Sequence, residues 1–350
     1  DTQEKIKETI IENDLNRVVV ASCTPRTHEP LFRATLKEAG LNEYLFEMAN
    51  IRDQCSWVHM HQHEKATQKS LDLVRMAVAK ARLLEPLEKP VINTTQVALV
   101  IGGGLTGMTS ALEIADQGYP VHLVEKSSTL GGNMHHIKFL PTGEDPQKEL
   151  DDLIEKVENN PNISLHLNTQ VADVHGYIGN FESSLVSTEG EEEIEHGVAV
   201  IATGGLEYTP NEYGYGSEGV YTQFEFEEKL ESGYIPESVV MIQCVGSRCD
   251  ERPYCSRVCC TGACTNALKI KELNPEADVY ILYKDMRTYG FKEDYYREAA
   301  EKGVIFIRYS DEDKPVVSTQ DGLKILVKDP VLKEKVNIEA DSLVLSSAIL

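Results

Sequence analysis

"QVALVIGGGLTGMTSALEIADQGYPVHLVEK", Gln96–Lys126, decides the fold. Val97–Ile101 is an unbroken apolar run of strand length that ends in three glycines. "LTGMTSALEIADQGY" carries apolar residues at helical spacing and stops at Gly118, and "PVHLVEK" is a second buried strand. Strand, helix, strand in that order implies a parallel sheet. Gly102, Gly104 and Gly107 form G-x-G-x-x-G in the strand-to-helix turn. The first glycine permits the tight turn, the second lets backbone approach a pyrophosphate, and the third lets helix and strand pack closely. The helix N-terminus supplies amide donors and positive potential. Glu125 ends the second strand, 21 residues after Gly104, where its carboxylate can bind ribose hydroxyls. With strand, helix, second strand and acid all present, a dinucleotide site is a far stronger reading than an empty glycine turn.

The 350 residues suit two or three domains, and the composition allows a sizeable core. Asp and Glu number 57 against 34 Lys and Arg, a formal net charge of −23. That sign argues against nucleic acid or an anionic membrane as partner and favours a basic protein surface. No apolar run reaches the ~20 residues a bilayer needs, and nothing at the start reads as a signal peptide, so a cytoplasmic protein without a membrane span is expected. Eight clustered cysteines in a chain this long point to metal or redox use in a reducing compartment, not to a disulfide scaffold. The start at Asp1 and the unclosed strand "SLVLSSAIL" before Leu350 read as a fragment of a longer protein.

Three domains are expected: residues 1–93, 94–236 and 237–350. The first opens with an amphipathic stretch at Lys5–Asn13. "RVVVASC" follows as a strand, then "THEPLFRATLKEAG" as a helix capped by Thr27 and stopped by Gly40, and a long helix from about Gln62 to Leu84. In the second, strands are expected near 163–168 and 171–188, with an acidic hairpin tip at Glu191–Glu193 before "EHGVAVIATGG". The third repeats the βαβ theme: "SVVMIQCVG", a helix from about Val258 to Leu273, "DVYILYKD", a helix at Lys292–Lys302, and "GVIFIRY", then strands near 323–328 and 342–347. His59, His61 and His63 open a helix in this reading, which splays them, so a metal role is the weaker alternative to a surface feature.

After Glu125 comes "KSSTLGGN", and later "VAVIATGG". This pattern resembles the flavoproteins with two dinucleotide-binding domains related to thioredoxin reductase. The resemblance implies FAD in the first domain, near Gly102, Gly104, Leu105, Thr106, Gly107, Glu125, Lys126, Gly131, Gly132, Asn133, Met134, Thr203 and Gly204. A solvated lysine is the plainer reading of Lys126. The fold class is therefore α/β, with two Rossmann-like units preceded by a small α/β domain. In such proteins the second unit carries a glycine loop for NADPH. Here its first strand runs instead into "QCVGSRCDERPYCSRVCCTGAC", Gln243–Cys264, which holds six of the eight cysteines.

The spacing Cys244-x10-Cys255-x3-Cys259-Cys260 lacks the paired C-x2-C of structural zinc and the C-x-x-C of a dithiol site. Iron–sulfur clusters accept irregular spacing, because each thiolate binds a different iron, so a 4Fe-4S cluster ranks ahead of zinc and zinc ahead of disulfides. Cys249 and Cys264 are spare thiols, and Cys264 reads as a packed helix residue. Arg248, Arg252 and Arg257 would offset cluster charge.

Taken together with "RVVVASCTPRTHEPLFR", "NIRDQCSWVH", "LGGNM" and "DVYILYKDMRTYG", these segments resemble the A-type subunits of heterodisulfide reductase and their bacterial homologues. The resemblance implies an FAD and iron–sulfur electron-transfer protein that divides flavin electron pairs into single-electron transfers, in some members within flavin-based bifurcation. Its implied partners are the B- and C-type subunits of heterodisulfide-reductase-like complexes, hydrogenase or dehydrogenase modules, and ferredoxin, with a homodimer left open. It also implies that Cys23 and Cys55 help ligate a second cluster, against the reading of each as a core thiol. The chain departs from many members where "HHIKFLPTGEDPQKELDDLIEK" lacks a ferredoxin-like cysteine insert. Two alternatives remain: a non-catalytic scaffold that docks other redox proteins, and an NAD(P)H-dependent thioredoxin-reductase-like flavoenzyme.

Overall fold

The computed structural model describes residues 2–350. They form two compact units, one up to Ile92 and one from Asn93 to Leu350. In the first, helix α1 (Thr2–Glu12), strand β1 (Val18–Ser22), helix α2 (Pro25–Glu38), strand β2 (Phe46–Asn50) and helix α3 (His63–Ala81) follow one another. β1 and β2 pair in parallel, and Ile10, Leu36, Phe46 and Met48 form the core between helices and sheet. The α2 N-cap is Thr24 rather than the expected Thr27, because Pro25 suits the first helical position and starts the helix earlier. Its cap makes no side-chain bond. β2, "FEMAN", is not anticipated by the sequence pattern, because over only five residues it shows no clear alternation. His59 and His61 lie in turns, and α3 begins only at His63.

The second unit opens with β3 (Ala98–Ile101), α4 (Leu105–Asp116), β4 (Val121–Val124), α5 (Pro146–Glu158) and β5 (Ile163–His166). α5 starts where Asp145 accepts the Gln147 and Lys148 amides and Pro146 fills the first position. β6 (Thr169–Tyr177), β7 (Asn180–Ser187) and β8 (Gly190–His196) form an antiparallel meander, and β9 (Val198–Ile201) returns to the first sheet. That sheet is parallel, in the order β5-β4-β3-β9. α4 and α5 cover one face through Met108, Ala111 and Leu150, and the meander covers the other through Leu185 and Ile194. The expected strand over 171–188 is two strands, turned at Ile178–Gly179, where Gly179 takes φ +90°. Glu191–Glu193 do not form a tip: they lie within β8, and the turn falls just before them.

β10 (Val220–Thr222), α6 (Gln223–Glu231), β11 (Ser238–Val245), α7 (Cys259–Leu273), β12 (Asp278–Tyr283), α8 (Glu293–Glu301) and β13 (Ile305–Arg308) build the second parallel sheet. β14 (Val316–Ser318), β15 (Leu323–Lys328) and β16 (Lys335–Ala340) make an antiparallel cover, and β17 (Ser342–Ser347) enters the sheet to give the order β10-β17-β11-β12-β13. α6, α7 and α8 pack on one face through Phe226, Ala263, Ala267 and Ala299, and Ile325, Val327 and Ile338 close the other. The expected boundary at 236/237 shifts, because β10 pairs with β17 and α6 packs beside it, so both belong to the second sheet. α6 begins with a reciprocal capping box between Thr222 and Glu225. The last strand of the sheet, β17, is fully buried between β10 and β11.

Candidate cofactor cleft and cysteine loop

At the carboxyl ends of β3, β4 and β9 lies a cleft of about 610 Å³. Ligands of open α/β sheets bind at this edge. Gly102 takes φ +110°, and a Cβ there would meet the Ala202 carbonyl oxygen at 2.3 Å. Gly107 lets α4 approach so closely that a Cβ would lie 1.7 Å from the Gly102 oxygen. Gly104, by contrast, has open space where a Cβ would be, with no left-handed φ. Its α-carbon therefore faces the cleft, and the first-turn amides of α4 follow with no side-chain cap over them. Gly131 donates its N–H to the Gly103 oxygen at 2.8 Å and bridges Gly104, which lays a second glycine loop beside the first.

Glu125 is buried at the floor. Its carboxylate accepts the Gly103 N–H at 2.6 Å and the Ser127 N–H at 2.8 Å. Burial opposes its charge, but the two amides outweigh that and hold it below the usual carboxylate range. Asn133 donates to the Gly205 oxygen at 2.8 Å and ties the second glycine loop to the end of β9. Of the thirteen residues singled out from the sequence, twelve line this one cleft. The thirteenth, Gly107, lies behind the wall as a packing residue. Met134 lines the cleft and also packs into the core beneath it. Ser127, Ile137, Ile201 and Leu206 also line it. Only Ser127, next in line to the "VEK" strand end, carries a sequence signal. The open amides, the Cβ-free approach and the acid fit an FAD pyrophosphate and ribose.

The second sheet's equivalent edge is built differently. Cys244, the last residue but one of β11, takes φ +64°, and Arg248 and Arg257 are also left-handed at +54° and +66°. Such conformations are strained for residues with side chains, and here three fall within fourteen positions. Cys259 and Cys260 open α7 and are buried, where the helix N-terminus favours thiolate. Cys255 lies in the loop and takes the Arg257 N–H on sulfur at 3.4 Å. Arg248 approaches the Cys244 sulfur at 4.0 Å and pairs with Asp285 at 2.7 Å.

Burial pushes the Cys244 thiol up, against the pull of Arg248. In the adjacent pair, a hydrogen bond between the thiols lowers Cys260 and raises Cys259, and the Arg287 N–H and charge also favour Cys260 thiolate. Cys264 is fully buried and pushed up to about 12 by burial, as expected of a packed helix residue. Cys244, Cys255, Cys259 and Cys260 lie near enough to perturb one another electrostatically. Among the described residues, however, no three Cys, His, Asp or Glu side chains converge closely enough to share a metal ion. The expected four-thiolate set is thus gathered on one loop and helix start without being closed. All eight cysteines are free thiols.

The equivalent crevice at the edge of the second sheet is stoppered. A Cβ on Gly246 would lie 2.3 Å from the Tyr208 ring, which packs directly against the glycine. Arg252 stacks on that ring at 4.5 Å and donates to the Gly246 oxygen. In the first unit, Cys23 and Cys55 make separate contacts. Cys23 lies 3.1 Å from Arg52, and the buried Cys55 thiol donates to the Ala66 oxygen at 2.9 Å.

Residues 96–245 match the family model described as pyridine nucleotide-disulphide oxidoreductase. The first of two A-type iron–sulfur subunits of CoB–CoM heterodisulfide reductase from Methanopyrus kandleri is 35% identical over 454 positions, covering 99% of this chain and 67% of the relative. The corresponding protein of Methanocaldococcus jannaschii is also 35% identical, over 99% of this chain and 68% of its own. The chain belongs to the A-subunit family of heterodisulfide reductases. It is an oxidoreductase component of the heterodisulfide-reductase type. The match of 454 positions against a chain of 350 leaves at least 104 that the Methanopyrus relative alone fills. Thioredoxin reductase of T. acidophilum shares the fold, with a TM-score of 0.50 and 14% identity over 73% of this chain and 78% of that one. No helix among the described residues is long and apolar enough to cross a membrane.

Proposed function

We propose that this A-type heterodisulfide reductase relative holds FAD at Gly102–Gly107, Glu125 and Gly131–Met134, and a 4Fe-4S cluster at Cys244, Cys255, Cys259 and Cys260. When bound, the flavin would supply two-electron and the cluster one-electron chemistry. The residues of the first cleft bind and orient: two glycine loops and the α4 amides cradle pyrophosphate, and Glu125 fixes the ribose side. The residues of the second edge neutralise and shield: Arg248 and Arg287 lie near the thiols, and α7 buries two of them. The observation that carries this reading is the contrast between the two sheet edges. One is open and glycine-lined, and the other is closed over cysteines.

The stoppering of Gly246 by Tyr208 disfavours the NAD(P)H-dependent reductase alternative, since no dinucleotide backbone can approach there. The scaffold alternative predicts cofactors that do not exchange electrons. B- and C-type subunits, hydrogenase or dehydrogenase modules and ferredoxin are the proposed partners, in a cytoplasmic complex. Cys23 and Cys55 would enter a second cluster only with thiolates from outside these 350 residues. The test is the iron, acid-labile sulfide and flavin content of anaerobically purified protein, with EPR spectra before and after dithionite. About four irons and four sulfides per chain with bound FAD support the proposal. Zinc without sulfide, or no metal, refutes the cluster.

A further inference from the structure

Buried side-chain polar atoms in folded proteins nearly always find a hydrogen-bond partner. Among the described residues seven such atoms have none, and five belong to Gln243, Thr261 and Asn266. All three border the cysteines: Gln243 precedes Cys244, and Thr261 and Asn266 are on α7 beyond Cys259 and Cys260. Gln243 is the extreme case. Its residue is wholly buried, and both its amide nitrogen and its amide oxygen lack partners. Its main-chain oxygen is engaged by the Tyr309 hydroxyl at 2.6 Å, so the backbone is fixed while the side chain is not.

The strand pattern gives that side chain a direction. Met241, two residues earlier, packs with Ala263 and Ala267 of α7. Alternate residues of a strand share a face; the one-residue bulge against β17 that follows Ile242 sets Gln243 and Cys244 opposite Ser346, whose hydroxyl accepts from Gln223, itself bound to the Cys259 oxygen, so the Gln243 amide is placed at the helix start that carries Cys259 and Cys260. We infer that Gln243 is a hydrogen-bond donor to sulfur of the iron–sulfur group, and that it raises the potential of that group. The inference rests on the cluster reading above. A donor to cluster sulfur stabilises the more negative, reduced form. Without the group, the same amide is a buried polar side chain left unsatisfied, which explains why a leucine-shaped position carries glutamine.

The full chain, purified anaerobically with its cofactors, is compared with Gln243→Leu. Two readouts move in opposite directions. The cluster potential, followed by EPR-monitored titration, shifts lower, because a hydrogen bond to a charged acceptor is worth tenfold or more in equilibrium, about 59 mV for a one-electron couple. The metal-free variant resists urea better than metal-free wild type, because two unsatisfied buried atoms are gone. A purely structural glutamine would not move the potential. An unchanged potential with iron and sulfide intact overturns the inference. Absence of iron and sulfide from the wild type overturns the cluster reading itself. Should the variant not fold, wild-type protein labelled with ¹⁵N in glutamine side chains decides. A ¹⁵N coupling to the reduced cluster supports the donor, and its absence refutes it.

Discussion

Glu227 offers a perturbation whose size follows from the structure. It lies on α6, is 6% exposed, and accepts the Lys138 N–H at 2.9 Å. Asn266 of α7 faces it without closing a hydrogen bond of normal geometry. Lys138 Nζ is turned to Glu231 at 3.3 Å, and Glu207 adds like charge. Burial is the largest influence, and the carboxyl is pushed from an ordinary 4.5 up to about 7. The folded form therefore binds the proton more tightly than the unfolded form. Stability from this group is complete below pH 4.5, falls as pH rises from there, and levels off above about 7. The loss approaches about 3 kcal/mol at pH 8, at ~1.4 kcal/mol for each tenfold change in proton affinity. Glu227→Gln keeps the oxygen that accepts Lys138 N–H and removes the ionisation. The variant should match wild type at pH 4.5 and exceed it at pH 8 by up to about 3 kcal/mol, a urea midpoint shift on the order of 1 M. Far-UV circular dichroism is the readout, because the one tryptophan, Trp57, lies in the first unit. A stability difference that stays flat from pH 4.5 to 8, or a variant weaker at pH 8, would refute the buried, uncompensated carboxylate.

Gly104→Ala should fold, since its Cβ meets nothing, yet lose flavin by tenfold or more because the methyl fills the cleft; flavin retained on gel filtration reads this. Gly107→Ala should not reach the native fold in soluble form, as its Cβ would lie 1.7 Å from the Gly102 oxygen. Glu125→Ala should weaken flavin binding about 10- to 100-fold by equilibrium dialysis, because Gly103 and Ser127 lose their acceptor and the ribose side loses its acid. Cys260→Ser should remove iron and sulfide, while Cys264→Ser, at a packed position, should leave both within error.

Much of this is legible in the sequence because the signals are local. The glycine turn, its strands and Glu125 fall within 31 residues, and each needs only its neighbours to be read. α7 and β17 likewise announce themselves by helical spacing or an unbroken apolar run. What stays hidden depends on residues far apart in sequence. β10 and α6 belong to the second sheet because β17, more than a hundred residues on, pairs with β10, and no local pattern records that. The Tyr208 stopper on Gly246 joins a loop of the first sheet to the edge of the second, and neither residue marks it alone. Glu227 looks like one of many acids on a charged helix. Only packing of α6 between the turn at Lys138 and α7 singles it out.

That packing also links the two sheet edges. The turn that follows the second glycine loop, Gly132–His136, lies against α6: His136 stacks on Phe224 with centroids 5.1 Å apart and reaches Glu228 at 2.9 Å. On its other side α6 meets α7, where Gln223 donates to the Cys259 oxygen at 3.1 Å and leaves no room for a Cβ on Gly262. Gln223 also donates to Ser346 of β17 at 2.8 Å. One nine-residue helix thus touches the glycine cradle's trailing turn, the first thiol residue of α7 and the buried strand β17. Its N-terminus and packed faces are held by a capping box, a buried glutamine and a buried carboxyl, so its position has little freedom. Two cofactor sites that exchange electrons need a constant separation, and a rigid spacer with contacts to both provides it. Loosening α6 at Gln223, which touches the cysteine edge only through the Cys259 main-chain oxygen, should therefore disturb flavin and cysteine edges together, whereas a change in either cradle should stay local.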